Sequence, residues 1–146
     1  FGEIAAGIKD SSGNWENMYG VAQNVRDFMV YSGTETYLLE TLLNGGAGCI
    51  TATSNLIATE CQQVFQAWKN ERLEDAKQKQ NKLTSLRKAF ESYPFVSGLK
   101  SIFADQKDSN EWEHMMPPFE GLMKDQLHEL KEKIKDLGLD LSKRLN

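Results

Sequence analysis

Cysteine, histidine and proline are scarce in this chain: 146 residues hold two, two and three of them. Cys49 and Cys61 stand far apart in sequence, with no second cysteine or histidine at ligand spacing, so neither a zinc site nor a disulfide framework is expected. Both are read as small buried apolar side chains rather than a disulfide. His114 and His128 are isolated and are read as surface residues rather than ligands or bases. No apolar run approaches the roughly eighteen residues of a membrane span. Nor is there an excess of positive charge. The formal net charge is −4, and basic residues mostly alternate with acidic ones on helical segments, so no nucleic-acid partner is expected. Phe1-Gly2-Glu3 carries neither an initiator methionine nor a signal-peptide pattern, which gives the cytoplasm as the expected compartment and a cut N-terminus as a second expectation.

What is present suits a packed domain. Hydrophobic residues make up 40% and charged residues 26%, with three tryptophans and seven phenylalanines. The tryptophans lack interleaved basic residues and are read as core or subunit contacts rather than base-stacking platforms. Three short apolar runs, Ile4–Ile8, Phe28–Tyr31 and Cys49–Thr51, lie far enough apart for crossover helices between parallel strands. Between them, Asn14–Arg26 places Met18, Val21, Ala22 and Val25 at helical steps with Ser12 or Asn14 as cap, and Glu35–Asn44 does likewise before Gly45-Gly46.

Later segments predict helices alone: Ala58–Asn70, Leu73–Ser92, Pro94–Ala104 and Phe119–Leu137. The stretch Lys77–Lys82 is read as a solvated helix face. Residues 1–70 therefore read as three β/α units and residues 71–146 as a helical extension, an α/β pattern. Three parallel strands alone leave open edges and an unclosed interior face, so further chain is expected to complete the sheet.

Three constellations carry chemistry. Lys9 ends the first run, before Asp10-Ser11-Ser12-Gly13; desolvated there, its amine could attack a carbonyl, and otherwise it is a surface lysine starting a turn. Ser32-Gly33-Thr34-Glu35-Thr36 offers backbone, hydroxyl and carboxylate groups to a polar substrate, and equally reads as a helix N-cap. Gly45–Asn55 combines close-packing glycines with Thr51 and Thr53, or is simply a tight turn and a buried strand. It lacks the GxxxxGK[ST] order of a phosphate cradle.

Together these segments resemble the dihydrodipicolinate synthase / N-acetylneuraminate lyase family of Schiff-base-forming enzymes. Gly7-Ile8-Lys9-Asp10-Ser11-Ser12-Gly13 resembles the family's lysine motif on its sixth barrel strand. Ser32-Gly33-Thr34-Glu35 resembles its seventh-strand motif, and Gly45–Asn55 its eighth. Leu99-Lys100 and Met116-Pro117-Pro118-Phe119 resemble a region of its C-terminal helices, with Met116 where many relatives have arginine.

The resemblance implies the C-terminal part of a (β/α)8 TIM barrel, strands six to eight, followed by a helical extension. A whole barrel of this kind typically needs about 250 residues. It further implies a lyase or aldolase acting on pyruvate or a related 2-oxo acid through Lys9, without cofactor or metal. Gly33 and Ile50 would line the adduct through their backbone, and Glu35, Thr36, Thr51 and Ala52 would face the variable tail of the substrate. The family's proton-relay tyrosine and carboxylate-binding hydroxyls would lie upstream of Phe1, a place that Tyr19, Tyr31, Tyr37 and Tyr93 do not fill. Expected partners are the missing N-terminal half of the barrel and further copies in a dimer or tetramer. The alternative is a catalytically silent half-barrel that serves as a structural subunit.

Overall fold

The computed structural model describes residues 4–143. The expectations placed on Phe1-Gly2-Glu3 fall outside them. By residue contacts the chain forms two compact units, 1–84 and 85–146.

The first unit is built on a three-stranded parallel sheet ordered β1 (Gly7–Asp10), β2 (Met29–Ser32), β3 (Gly48–Cys49). The first strand lies later than the apolar run Ile4–Ile8 suggests, so that Lys9 is inside it and in register with Tyr31. The register runs from Gly7 beside Met29 to Asp10 beside Ser32, and Ser32 continues to Cys49. Side chains on a strand alternate between faces. Here Asp10, Val30 and Ser32 are buried, while Lys9 and Met29 are exposed and Tyr31 is half-buried. One face is therefore covered, and the other is open among the described residues. Ile8, on the edge strand, remains 43% exposed.

Helix α1 (Trp15–Asn24) connects the first two strands. Of the two expected caps, Asn14 serves: its side chain accepts from the amides of Glu16 (2.9 Å) and Asn17 (3.4 Å). The helix stops two residues short of Arg26, and Asp27, at φ 52°, turns the chain into β2. The second connection starts as a 3-10 turn, Glu35–Tyr37, capped by the Thr34 hydroxyl, and becomes α2 (Leu38–Leu43). Gly45 (φ 84°) and the bond from Gly46 N–H to the Thr41 carbonyl (2.8 Å) close it. A Cβ on Gly46 would stand 2.3 Å from the Thr41 methyl, so only glycine fits that return.

Helix α3 (Ser54–Lys69) begins four residues before the expected Ala58. Its first turn hangs on the Thr53 carbonyl, which accepts from Leu56 and Ile57, and Ile57 is non-helical (φ −119°, ψ 27°), so regular helix starts where the apolar periodicity does. Helix α4 (Leu73–Glu91) follows as expected. Trp15 packs its ring near Tyr19 and Tyr37, at 6.1 and 5.9 Å between centroids, which is packing rather than a binding platform.

The second unit holds the end of α4, α5 (Phe95–Lys107) and α6 (Lys124–Asp136). Helix α6 starts five residues later than expected. Residues 119–123 cannot join it, because the Leu122 N–H is committed to the Ser101 hydroxyl (3.0 Å) and Gln126 Oε1 caps the Met123 N–H (3.0 Å). Buried Ile102, Leu130 and Ile134 supply the unit's core, and Lys131 of α6 reaches Asp105 of α5 at 2.6 Å. Lys100 donates to the His114 carbonyl and holds the loop leading to Met116, itself 83% exposed.

Candidate active site

The three strands deliver their C-terminal ends side by side. Lys9 is exposed on the open face, one residue before Asp10. Asp10 turns the other way and is buried, where Oδ1 accepts from Ser12 N–H (2.7 Å) and Oδ2 from the Asn17 amide (2.5 Å). The hydrogen bond from Ser12 holds its carboxyl below the ordinary range against the opposing effect of burial, with Asn17 helping. The turn after Lys9 is thus anchored by its neighbour.

Gly33 and Ile50 are tied to the same region through their amides. Gly33 N–H donates to the Asp10 carbonyl at 2.7 Å, and Ile50 N–H to the Ser32 carbonyl at 2.9 Å. The backbone ladder therefore runs from Asp10 through Gly33 and Ser32 to Ile50, and brings together three positions widely separated in sequence. Ile50 is 48% exposed. Thr36 is half-buried, with its hydroxyl 3.2 Å from that of Thr34, and Ala52 is exposed.

Glu35 and Thr51 are placed differently from the expectation that they face a substrate. Glu35 is fully buried, and its Oε1 accepts from the hydroxyls of Thr51 and Thr53, the latter at 2.6 Å. The reason is geometric: the 3-10 turn aims residue 35 inward, under the end of β3, where two threonine hydroxyls satisfy the carboxyl that burial would otherwise penalise.

Gln80 on α4 went unnoticed in the sequence because it lies inside a lysine- and glutamine-rich stretch. It is half-buried, and its amide donates to the carbonyls of Glu35 (2.9 Å) and Thr36 (3.2 Å) while its Oε1 accepts from Leu39 N–H (3.0 Å). A single long polar residue facing the first three-residue turn of a helix gives no periodic signal, since its flanking residues are solvated.

Cys49 and Cys61 are free and half-buried, less enclosed than expected. Hydrogen bonding with Cys49 pushes the Cys61 thiol up, and burial and the charges of Glu35 and Glu60 add to this, so Cys61 is a poor nucleophile. Among the described residues no three His, Cys, Asp or Glu side chains converge as a metal site, and no helix is long and apolar enough to cross a membrane. Two cavities, of about 440 and 700 Å³, lie in the helical unit, lined by groups such as Lys135 and Leu139, and Asp108 and His128; neither includes a residue of the strand ends.

Comparison with known proteins places this arrangement. The sequence profile of the dihydrodipicolinate synthetase family matches residues 3–137. The chain is 33% identical over 101 residues to a 4-hydroxy-tetrahydrodipicolinate synthase of Listeria monocytogenes, a match covering 68% of this chain and 34% of the relative. It is 35% identical over 103 residues to the probable 2-dehydro-3-deoxy-D-pentonate aldolase YjhH of Escherichia coli, covering 67% and 34%. Among solved structures, YagE of Escherichia coli, a prophage protein of the dihydrodipicolinic acid synthase family in complex with pyruvate, superposes with a TM-score of 0.80 at 25% identity. That match covers 92% of this chain and 46% of YagE. The matched stretch thus spans about a third of these curated relatives and about half of the solved structure.

Proposed function

Because the chain belongs to the dihydrodipicolinate synthetase family, we propose that it is the C-terminal part of a (β/α)8 lyase or aldolase, with β1, β2 and β3 as barrel strands six to eight, and that Lys9 forms a Schiff base with pyruvate or a related 2-oxo acid. The supporting observation is the position of Lys9: on the open sheet face, at the C-terminal strand end, with Gly33 and Ile50 bonded into the adjoining strand ends. In α/β barrels that end of the strands carries the chemistry.

The unprotonated Lys9 amine would attack the keto carbon, and a proton delivered to the hydroxyl of the resulting carbinolamine lets it leave as water, giving an iminium ion. The C–N bond, now cationic, withdraws the electron pair of an adjacent C–H or C–C bond. Losing a proton there gives an enamine able to add to an aldehyde; breaking the C–C bond gives the reverse reaction. The backbone at Gly33 and Ile50 would line the adduct, and Thr36 and Ala52 would face the substrate's tail. Since Lys9 is exposed among the described residues, the walls that dry its amine would come from the remaining strands, as would the proton relay and the carboxylate-binding hydroxyls. The working form is proposed to be a dimer or tetramer in the cytoplasm.

The test is reductive trapping. Borohydride added to the full-length protein with pyruvate should attach a reduced pyruvate unit to the peptide containing Lys9, and Lys9→Ala should abolish it. Labelling elsewhere, or labelling that survives Lys9→Ala, overturns the assignment.

A further inference from the structure

We propose that Glu35 is a positioning residue: its buried carboxyl locks the segment after β2 to the segment after β3, and thereby sets where Thr36 and Ala52 stand at the strand ends, without touching substrate itself. This inference rests on the function proposed above and names how the acceptor side of that site is held.

The enclosure of Glu35 carries it. Glu35 and Thr53 are 0% exposed and Thr51 is 9% exposed, in a chain that spans only part of its relatives; further strands would cover these residues more, not less. A carboxylate that reads a substrate hydroxyl needs an open path to it. Here one oxygen is instead shared by two threonine hydroxyls sixteen and eighteen residues along the chain. The lock extends outward on both sides. Thr51 Oγ1 also accepts from Ser54 N–H (3.3 Å) and its carbonyl accepts from the Ser54 hydroxyl (2.7 Å), which fastens the start of α3. Gln80 holds the backbone of Glu35 and Thr36 from α4. Residues 35 and 51, drawn inward, leave their neighbours Thr36 half-buried and Ala52 exposed. The carboxyl oxygen is needed as an acceptor of two bonds, a role that a glutamine carbonyl also fills.

The test compares Glu35→Gln, Glu35→Ala and Thr51→Val in the full-length protein, with pyruvate and glyceraldehyde as substrates. In Glu35→Ala and Thr51→Val, amide hydrogen exchange should quicken at residues 35–36 and 51–53 but not at Gly33 and Ile50, which the Asp10 and Ser32 carbonyls hold, and Glu35→Gln should leave it unchanged. The KM for glyceraldehyde should rise about tenfold in Glu35→Ala, the scale of one or two lost hydrogen bonds. The pyruvate concentration that half-saturates trapping at Lys9 should not move, a split that general destabilisation does not produce. Should Glu35→Ala fail to fold, Thr51→Val removes one donor while keeping the shape of the side chain and reads the same lock. Glu35→Gln as impaired as Glu35→Ala would make the carboxylate a direct contact and overturn the proposal, as would unchanged exchange in both Glu35→Ala and Thr51→Val. A parent protein that does not trap pyruvate refutes the Schiff-base function alone, because exchange still reports on the lock.

Discussion

The amide of Gly33 donates to the carbonyl of Asp10 at 2.7 Å, and a Cβ on residue 33 would lie 2.6 Å from that same oxygen and 2.9 Å from Ser11 Cα. The neighbour is backbone, which cannot swing aside, so Gly33→Ala must push the end of β2 away from the strand that carries Lys9. Destabilisation of about 1–3 kcal/mol is expected, as for other overpacked sites. Urea unfolding measures it, and pyruvate trapping at Lys9 should weaken in parallel.

Asp10 makes stability depend on acidity. Its carboxyl is held below its ordinary value by the hydrogen bond from Ser12, so the folded protein retains the ionised form longer than the unfolded chain does. The contribution is full above the ordinary value of 3.8, shrinks as pH falls below it, and is gone below the lowered folded-state value. Urea unfolding of the parent and of Asp10→Ala as a function of pH should show a gap near neutrality that narrows on acidification from about pH 4. A constant gap would mean that the carboxylate's charge plays no part.

Gln80→Leu keeps the bulk of the side chain and removes its amide. It leaves the Leu39 N–H and the Glu35 and Thr36 carbonyls without this partner, at an expected cost of about 1–2 kcal/mol for partly buried groups. Amide exchange at Leu39 should quicken, and a variant as stable as its parent would refute the bracing role.

In the helical unit, Tyr93 donates to Glu129 at 2.5 Å, and this bond raises the phenol above its ordinary range, with burial and the Glu129 charge acting the same way. Ultraviolet titration should find its ionisation displaced to higher pH, and Glu129→Gln should return it toward the ordinary value.

How much of this was legible beforehand follows from what each residue signals. The parallel strand–helix alternation and the helices after it could be read because apolar spacing is set by burial. Gly45-Gly46 stood out as glycines that end a helix and permit close packing, whereas the close approach of Gly33 to Asp10 had no such signal. The late start of α6 was not legible, since Phe119 and Leu122 continue an apolar rhythm, and the Leu122–Ser101 bond that commits part of that backbone elsewhere reaches across 21 residues. The inward turn of Glu35 was hidden for a related reason. A carboxylate after a strand has the same sequence signature whether it faces a ligand or two buried threonines, and only the fold says which. Gln80 was masked by solvated neighbours of similar composition.

The count of strands carries a stoichiometric consequence. Two copies of this chain together hold six parallel strands, since each described chain has three. A ring of eight lacks five strands with one copy present and two with both, so duplication alone cannot finish it. On the proposed function, the strands that complete the ring also contribute the groups that shuttle protons and grip the substrate's acid end. Closing the ring and gaining turnover would then be one event, so residues 1–146 expressed alone should trap pyruvate poorly at Lys9.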